Sequence, residues 1–188
     1  MRKRSNPSAV IAGVVILLVF YAAVRWLSRP SSGPPSATQG FSARIGPPDI
    51  YPDPARTPGA TDPDITQDDV QSTICNPRWS TRSVRPPAEY TTRLKSEQLR
   101  ESGFSDTDLR DYEEDHLIPL ELGGNPQDPR NLWPEPYRTS IPDGGAHSKD
   151  KVENYLHDQV CAGNLSLGEA QAEIANDWYQ VYVKSVPH

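Results

Sequence analysis

The sequence predicts an α+β protein: a small ββα unit with additional helices, preceded by a transmembrane helix and a disordered Pro-rich linker. Three observations predict it. A charge-free run, Ala9–Val24, stands between Arg2-Lys3-Arg4 and Arg25. A stretch dominated by Pro, Ser, Gly and Asp follows it. Further on, Tyr112–Pro136 reads as strand, turn-rich loop and return strand, with a helix-period segment downstream.

Composition sets the outer limits. The chain has 188 residues, 35% hydrophobic and 23% charged, with 20 prolines. That is too polar for a multi-span membrane protein and too short for a TIM barrel or a two-domain dinucleotide enzyme. The formal net charge of −6 excludes a broadly basic, phosphate-seeking surface, so a nucleic-acid role needs a local patch or a metal.

The first segment, residues 1–29, reads as a cytoplasmic tip and an uncleaved signal anchor crossing the membrane through residues 9–27. A cleaved signal peptide fits the same basic and apolar regions and would make the protein secreted. Against it, Ala22-Ala23-Val24 runs straight into Arg25-Trp26. The three basic residues before the run keep that end in the cytoplasm and place the rest outside. Residues 30–68 read as a disordered linker that holds the next domain off the membrane. Residues 69–188 are the expected folded domain, enough for one modest core.

Within that domain a helix is expected over Thr92–Ser102, an extended segment over Tyr112–Ile118, a turn-rich loop over Leu120–Arg130 and a short strand at Asn131-Leu132-Trp133. Val152, Tyr155, Leu156 and Val160 give Ser148–Cys161 a helical apolar stripe. Ser166 and Glu169 form a capping box for a last helix whose inner face is Ala170, Ile174, Trp178 and Val181. Trp133 also reads as core. Cys75 and Cys161 stand far apart in a chain expected to be exported, which predicts a disulfide; the alternative is two buried thiols.

The chemistry-bearing segment is Tyr112–Pro136. On a straight strand Asp115 and His116 point to opposite sides, so both serve one site only where the strand bends or ends. Given that, Asp115 can hold a cation while His116 stays free as a base matched to neutral pH. The dipeptide alone reads better as a surface ion pair.

Asp115-His116 with Ile118-Pro119, Gly123-Gly124 and Asn131-Leu132, in that order, resembles the HNH, or His-Me finger, endonuclease family. The chain is similar, more narrowly, to a group of bacterial exported HNH-like proteins. The shared features are Cys75, Ser83 to Pro87, DHLIPLELGG from Asp115 to Gly124, NLWP from Asn131 to Pro134, and KDKVENYLHDQVC from Lys149 to Cys161. The resemblance covers most of the domain and none of the first seventy residues.

It implies a ββα-metal finger and a metal-dependent endonuclease acting on nucleic acid, DNA before RNA, which the anchor expected from the apolar run would hold at the membrane. The implied cofactor is a divalent ion, Mg²⁺ first, with Zn²⁺ or Mn²⁺ as alternatives. His116 matches the general base, Asp115 a metal ligand and Asn131 the residue that holds the loop and orients the histidine. The helix should supply the remaining ligand. Glu153 and His157, spaced i, i+4, are the expected pair, with Asn154 as alternative. A salt bridge from Glu153 to Lys149 is the competing reading.

Substrate contacts are expected from Arg78, Arg82 and Arg85 in the basic stretch around Trp79, and from Lys149, Lys151 and His147. A solvated basic face, with Trp79 packed near the disulfide, is the alternative for that stretch. The competing function is a non-catalytic envelope interaction module on the same scaffold. No protein partner is evident.

Overall fold

Two antiparallel strands and three helices make up residues 49–187, the part of the chain that the computed structural model describes. The mixed α+β class is as expected. The expected anchor at 9–27, the linker as far as residue 48, and His188 lie outside the described residues. Among the described residues no helix is long and apolar enough to cross a membrane.

Strand β1 (Tyr112–His116) pairs with β2 (Leu132–Pro136), from Tyr112 opposite Pro136 to His116 opposite Leu132, without a bulge. Pro134 and Pro136 are tolerated because each strand of a two-stranded sheet keeps an open edge, where a missing N–H breaks no ladder. The connection turns tightly at Gly123, whose φ of 70° is left-handed. At the adjacent Gly124 a Cβ would sit 1.7 Å from the Ile118 carbonyl oxygen, so only glycine fits.

Helix α1 (Ala88–Glu101) begins a turn earlier than expected, directly after Pro86-Pro87. It lies against the hairpin. Gln98 Nε2 donates to the Leu132 carbonyl at 2.9 Å, and Lys95 Nζ to the Leu109 and Tyr112 carbonyls at 2.7 and 2.6 Å. Helix α2 (Ala146–Cys161) buries Val152, Leu156 and Val160 against α3 (Leu167–Ser185). The Ser166–Glu169 capping box starts α3. Its buried face is Ala170, Ile174, Trp178 and Tyr182, with Val181 only partly buried. Asp177 breaks the helical dihedrals (φ −160°, ψ 69°), and its carboxylate accepts the Gln180 N–H, recapping the second half of α3.

The expected linker boundary at residue 69 is corrected. Ile50 and Tyr51 are buried in the core. Trp178 Nε1 donates to the Ile50 carbonyl at 3.0 Å, and the Tyr51 hydroxyl donates to Asp177. Residues 59–62 run beside the glycine turn, with backbone hydrogen bonds from Gly59 to Arg130, Asp62 to Gly123 and Asn125 to Ala60. A proline-rich composition lacks periodicity, but two apolar anchors and a few backbone bonds suffice to fix it as a strap. The Cys75–Cys161 disulfide forms, with Cα atoms 5.4 Å apart, and ties the end of this strap to the last turn of α2.

Candidate functional site

The ββα order brings three of the expected residues together. Asn131 is fully buried. Its Oδ1 accepts the Ile118 N–H at 2.9 Å, and its Nδ2 donates to the Ile118 and Asn125 carbonyls at 2.9 and 3.1 Å. One amide thereby fastens both ends of the loop that follows His116. The strand ends at His116, and this end does what a bend would do: Asp115 and His116 both line a small polar cleft of about 80 Å³ with Thr81, Arg85, Glu121 and Glu153. His116 and Arg85 also line a larger cleft of about 280 Å³ with Lys95, Glu113, Glu114 and Tyr137.

His116 Nε2 lies 3.0 Å from the Pro126 carbonyl. A carbonyl only accepts, so Nε2 carries the proton and Nδ1 keeps the lone pair. Burial pushes the imidazole pKa below its ordinary value, and the adjacent Asp115 charge only partly opposes this.

Asp115 does not meet a ligand set of Glu153 and His157. Lys149, with a side chain 1% exposed, enters between the elements. Its Nζ is 2.6 Å from Asp115 Oδ2, 2.5 Å from Glu153 Oε1 and 2.9 Å from the His116 carbonyl oxygen. The competing salt-bridge reading of Glu153 is the observed one, extended to Asp115. Burial alone would raise the Asp115 carboxyl; the Lys149 charge, the hydrogen bonds from Glu135 and Lys149 and the nearby His116 together outweigh it and hold that pKa below the usual range. Glu135, fully buried on β2, joins the cluster. Its oxygens accept no hydrogen bond, and burial raises its pKa well above normal, which favours the protonated carboxyl that can donate to Asp115. Glu153 is likewise pushed up to about 8, chiefly by burial. One ammonium cannot hold three carboxyls ionised in so small a volume.

The other expected site residues scatter. His157 Nε2 is 3.0 Å from the Ile74 carbonyl and 3.4 Å from Cys161 Sγ, beside the disulfide. Asn154 is exposed and donates to the Asp150 carbonyl on its own helix. Lys151 is exposed, 5.7 Å from the Tyr182 ring centroid. His147 is exposed and tilted on Tyr137. Lys149 is too deeply buried to meet substrate. Of the three arginines, all exposed, Arg85 is the one that lines the clefts with His116; Arg78 and Arg82 line neither. Sequence reasoning missed Glu114, Glu121 and Glu135. The available signal was the run of acids Glu113-Glu114-Asp115 inside a strand, where at least one must be shielded from water.

A divalent cation between Asp115 and the helix does not fit these residues as they stand, because an ammonium with three acceptors fills that position. A different cluster could hold a metal ion: ligand atoms of Cys75, His157 and Cys161 all lie within 4.8 Å of one another. With the sulfurs joined to each other they lack thiolate charge, so this set becomes a ligand set on reduction. No family model, curated protein or solved structure matches the chain.

Glu114 provides a pH prediction. Both its oxygens are buried without a hydrogen-bond partner, and burial pushes its pKa up to about 8 from 4.5. Between those values the unfolded chain has released the proton and the folded chain has kept it. Stability therefore falls as pH rises through this window. Urea unfolding at pH 5 and pH 8 should show the wild type losing about 3 kcal/mol relative to Glu114→Gln. Parallel stability curves for the two proteins would refute it.

Proposed function

We propose that this chain is a membrane-anchored, extracytoplasmic endonuclease that hydrolyses phosphodiester bonds of nucleic acid, with His116 as general base. The observation that carries the reading is the set state of that imidazole: Nε2–H given to the Pro126 carbonyl, Nδ1 left basic, and the ring kept neutral by burial at the wall of two clefts. A neutral, oriented imidazole can take a proton from water as it attacks phosphorus. The exposed Arg85 guanidinium shares both clefts and supplies positive charge for the phosphate oxygens. Asn131 keeps the loop behind His116 in place. The order Asp115-His116, Gly123-Gly124, Asn131 supports the His-Me finger kinship. The disulfide supports a location outside the cytoplasm, where such bonds persist. DNA is the first substrate to test and RNA the second.

One observation favours a non-catalytic interaction module instead. Glu113 and Glu114 line the larger cleft, and Asp115, Glu121 and Glu153 the smaller, so acids surround the one exposed guanidinium that both clefts share. A cleavage assay on labelled plasmid DNA and single-stranded RNA, with and without divalent ions, separates the two. His116→Ala should lower the cleavage rate by about 10²–10⁴-fold in a protein that still folds, with a stability loss of about 1–3 kcal/mol from the buried ring and its one hydrogen bond. Wild-type protein that cleaves neither substrate under any of these conditions rejects the endonuclease reading in favour of the module.

A further inference from the structure

We propose that the resident cation of this site is Lys149, whose ammonium takes the place between Asp115, Glu153 and the His116 carbonyl that a divalent metal would need. The inference deepens the endonuclease reading and rests on it for the role of His116, but the geometry behind it is independent of any reaction.

An ammonium has three N–H donors and no acceptor. All three are satisfied here, at 2.6, 2.5 and 2.9 Å, by two carboxyl oxygens and one carbonyl oxygen. The arrangement follows from the fold. Lys149 and Glu153 share a face of α2 at i, i+4. Asp115 and the His116 carbonyl come from the end of β1, which the Lys149 side chain reaches from α2.

A divalent ion bound by the same oxygens, at about 2.0–2.2 Å from each, would have to expel this ammonium into an interior where the side chain is 1% exposed. A stranded buried charge is strongly unfavourable. Mg²⁺ fits worse still, because it retains several waters and the Asp115 and Glu153 side chains around this position are only 15% exposed.

Lys149 lines neither cleft, so it is a positioning residue. It fixes Asp115 and, through the carbonyl of residue 116, the backbone that carries the imidazole. The positive charge that faces the clefts is then Arg85.

The test is Asp115-dependent Mn²⁺ binding by the full chain after chelator treatment, measured by calorimetry and by electron paramagnetic resonance, without substrate. The wild type should bind no Mn²⁺ at this site more tightly than about 1 mM, the weak limit of protein cation sites. Lys149→Met frees both carboxyl groups, and its Mn²⁺ affinity should rise at least about tenfold, with the gain removed by Asp115→Asn. Wild-type binding tighter than that limit and lost in Asp115→Asn overturns the inference. A folded Lys149→Met that gains nothing also overturns it.

If Lys149→Met does not fold, nitrogen-15 spectra of the wild-type Lys149 ammonium decide. A resonance unmoved by 10-fold excess Mg²⁺ supports the inference, and a displaced one defeats it. None of these readouts uses nucleic acid, so a failure here is distinguishable from a failure of the endonuclease reading.

Discussion

Asn131→Ala should destabilise the protein by about 4–6 kcal/mol, the largest effect expected of any single substitution in the site. The estimate follows from what is left behind. The Ile118 N–H and the Ile118 and Asn125 carbonyls would all lose their partner. Each orphaned buried backbone group costs about 1–3 kcal/mol, and the alanine leaves a polar hole besides. Water cannot readily fill it, because Asn131 is fully buried and Gly124 packs directly on the Ile118 carbonyl.

Asn131→Asp should do no better. A carboxylate can accept from Ile118 N–H but repels the two carbonyls to which the amide donates. Urea unfolding measures both variants. A loss below about 1 kcal/mol would show that the strap at residues 59–62, and not Asn131, holds this loop. The same variants should lose the fixed His116 tautomer, because Pro126 directly follows Asn125, whose carbonyl Asn131 holds.

The parts of this site that were legible in the sequence are those made by neighbours in the chain. Gly123-Gly124 announces a turn, Ser166 and Glu169 announce a helix start, and the spacing of Val152, Leu156 and Val160 announces a buried helical stripe. The Lys149–Glu153 pair was visible as an i, i+4 contact. What the spacing could not show is that Asp115, from another element, joins the same ammonium. That convergence is set by where the fold places Lys149 of α2 relative to the end of β1, a tertiary fact with no local pattern.

His157 was misplaced for the same reason. Four residues after Glu153 it does share that face broadly, but the disulfide and the Ile74 carbonyl claim its ring at the far end of the helix. The strap was hidden differently. Its residues carry no period because they pair with loop backbone and not with a repeating face. Ile50 and Tyr51 become meaningful only beside Trp178 and Asp177.

Removal of the Cys75–Cys161 bond, by a Cys75→Ala/Cys161→Ala double variant, should cost about 4 kcal/mol. The bond closes a sequence separation of 86 residues, and cross-linking so long a loop restricts the unfolded chain far more than the folded one. The closed loop holds α1, both strands and all of α2, while α3 and most of the strap lie outside it. The unfolded state should therefore gain freedom in the part of the chain that carries Asp115, His116, Asn131 and Lys149.

Reduction of the wild type should reproduce the loss, read as a shift of the urea midpoint. A difference below about 1 kcal/mol would mean that the native contacts of Cys75 and Cys161 hold the strap to α2 without the covalent link. Zn²⁺ added to the reduced protein, but not to the double variant, should restore part of the stability. Cys75, His157 and Cys161 would then close the same loop through a metal, and binding to the folded state alone adds its own free energy.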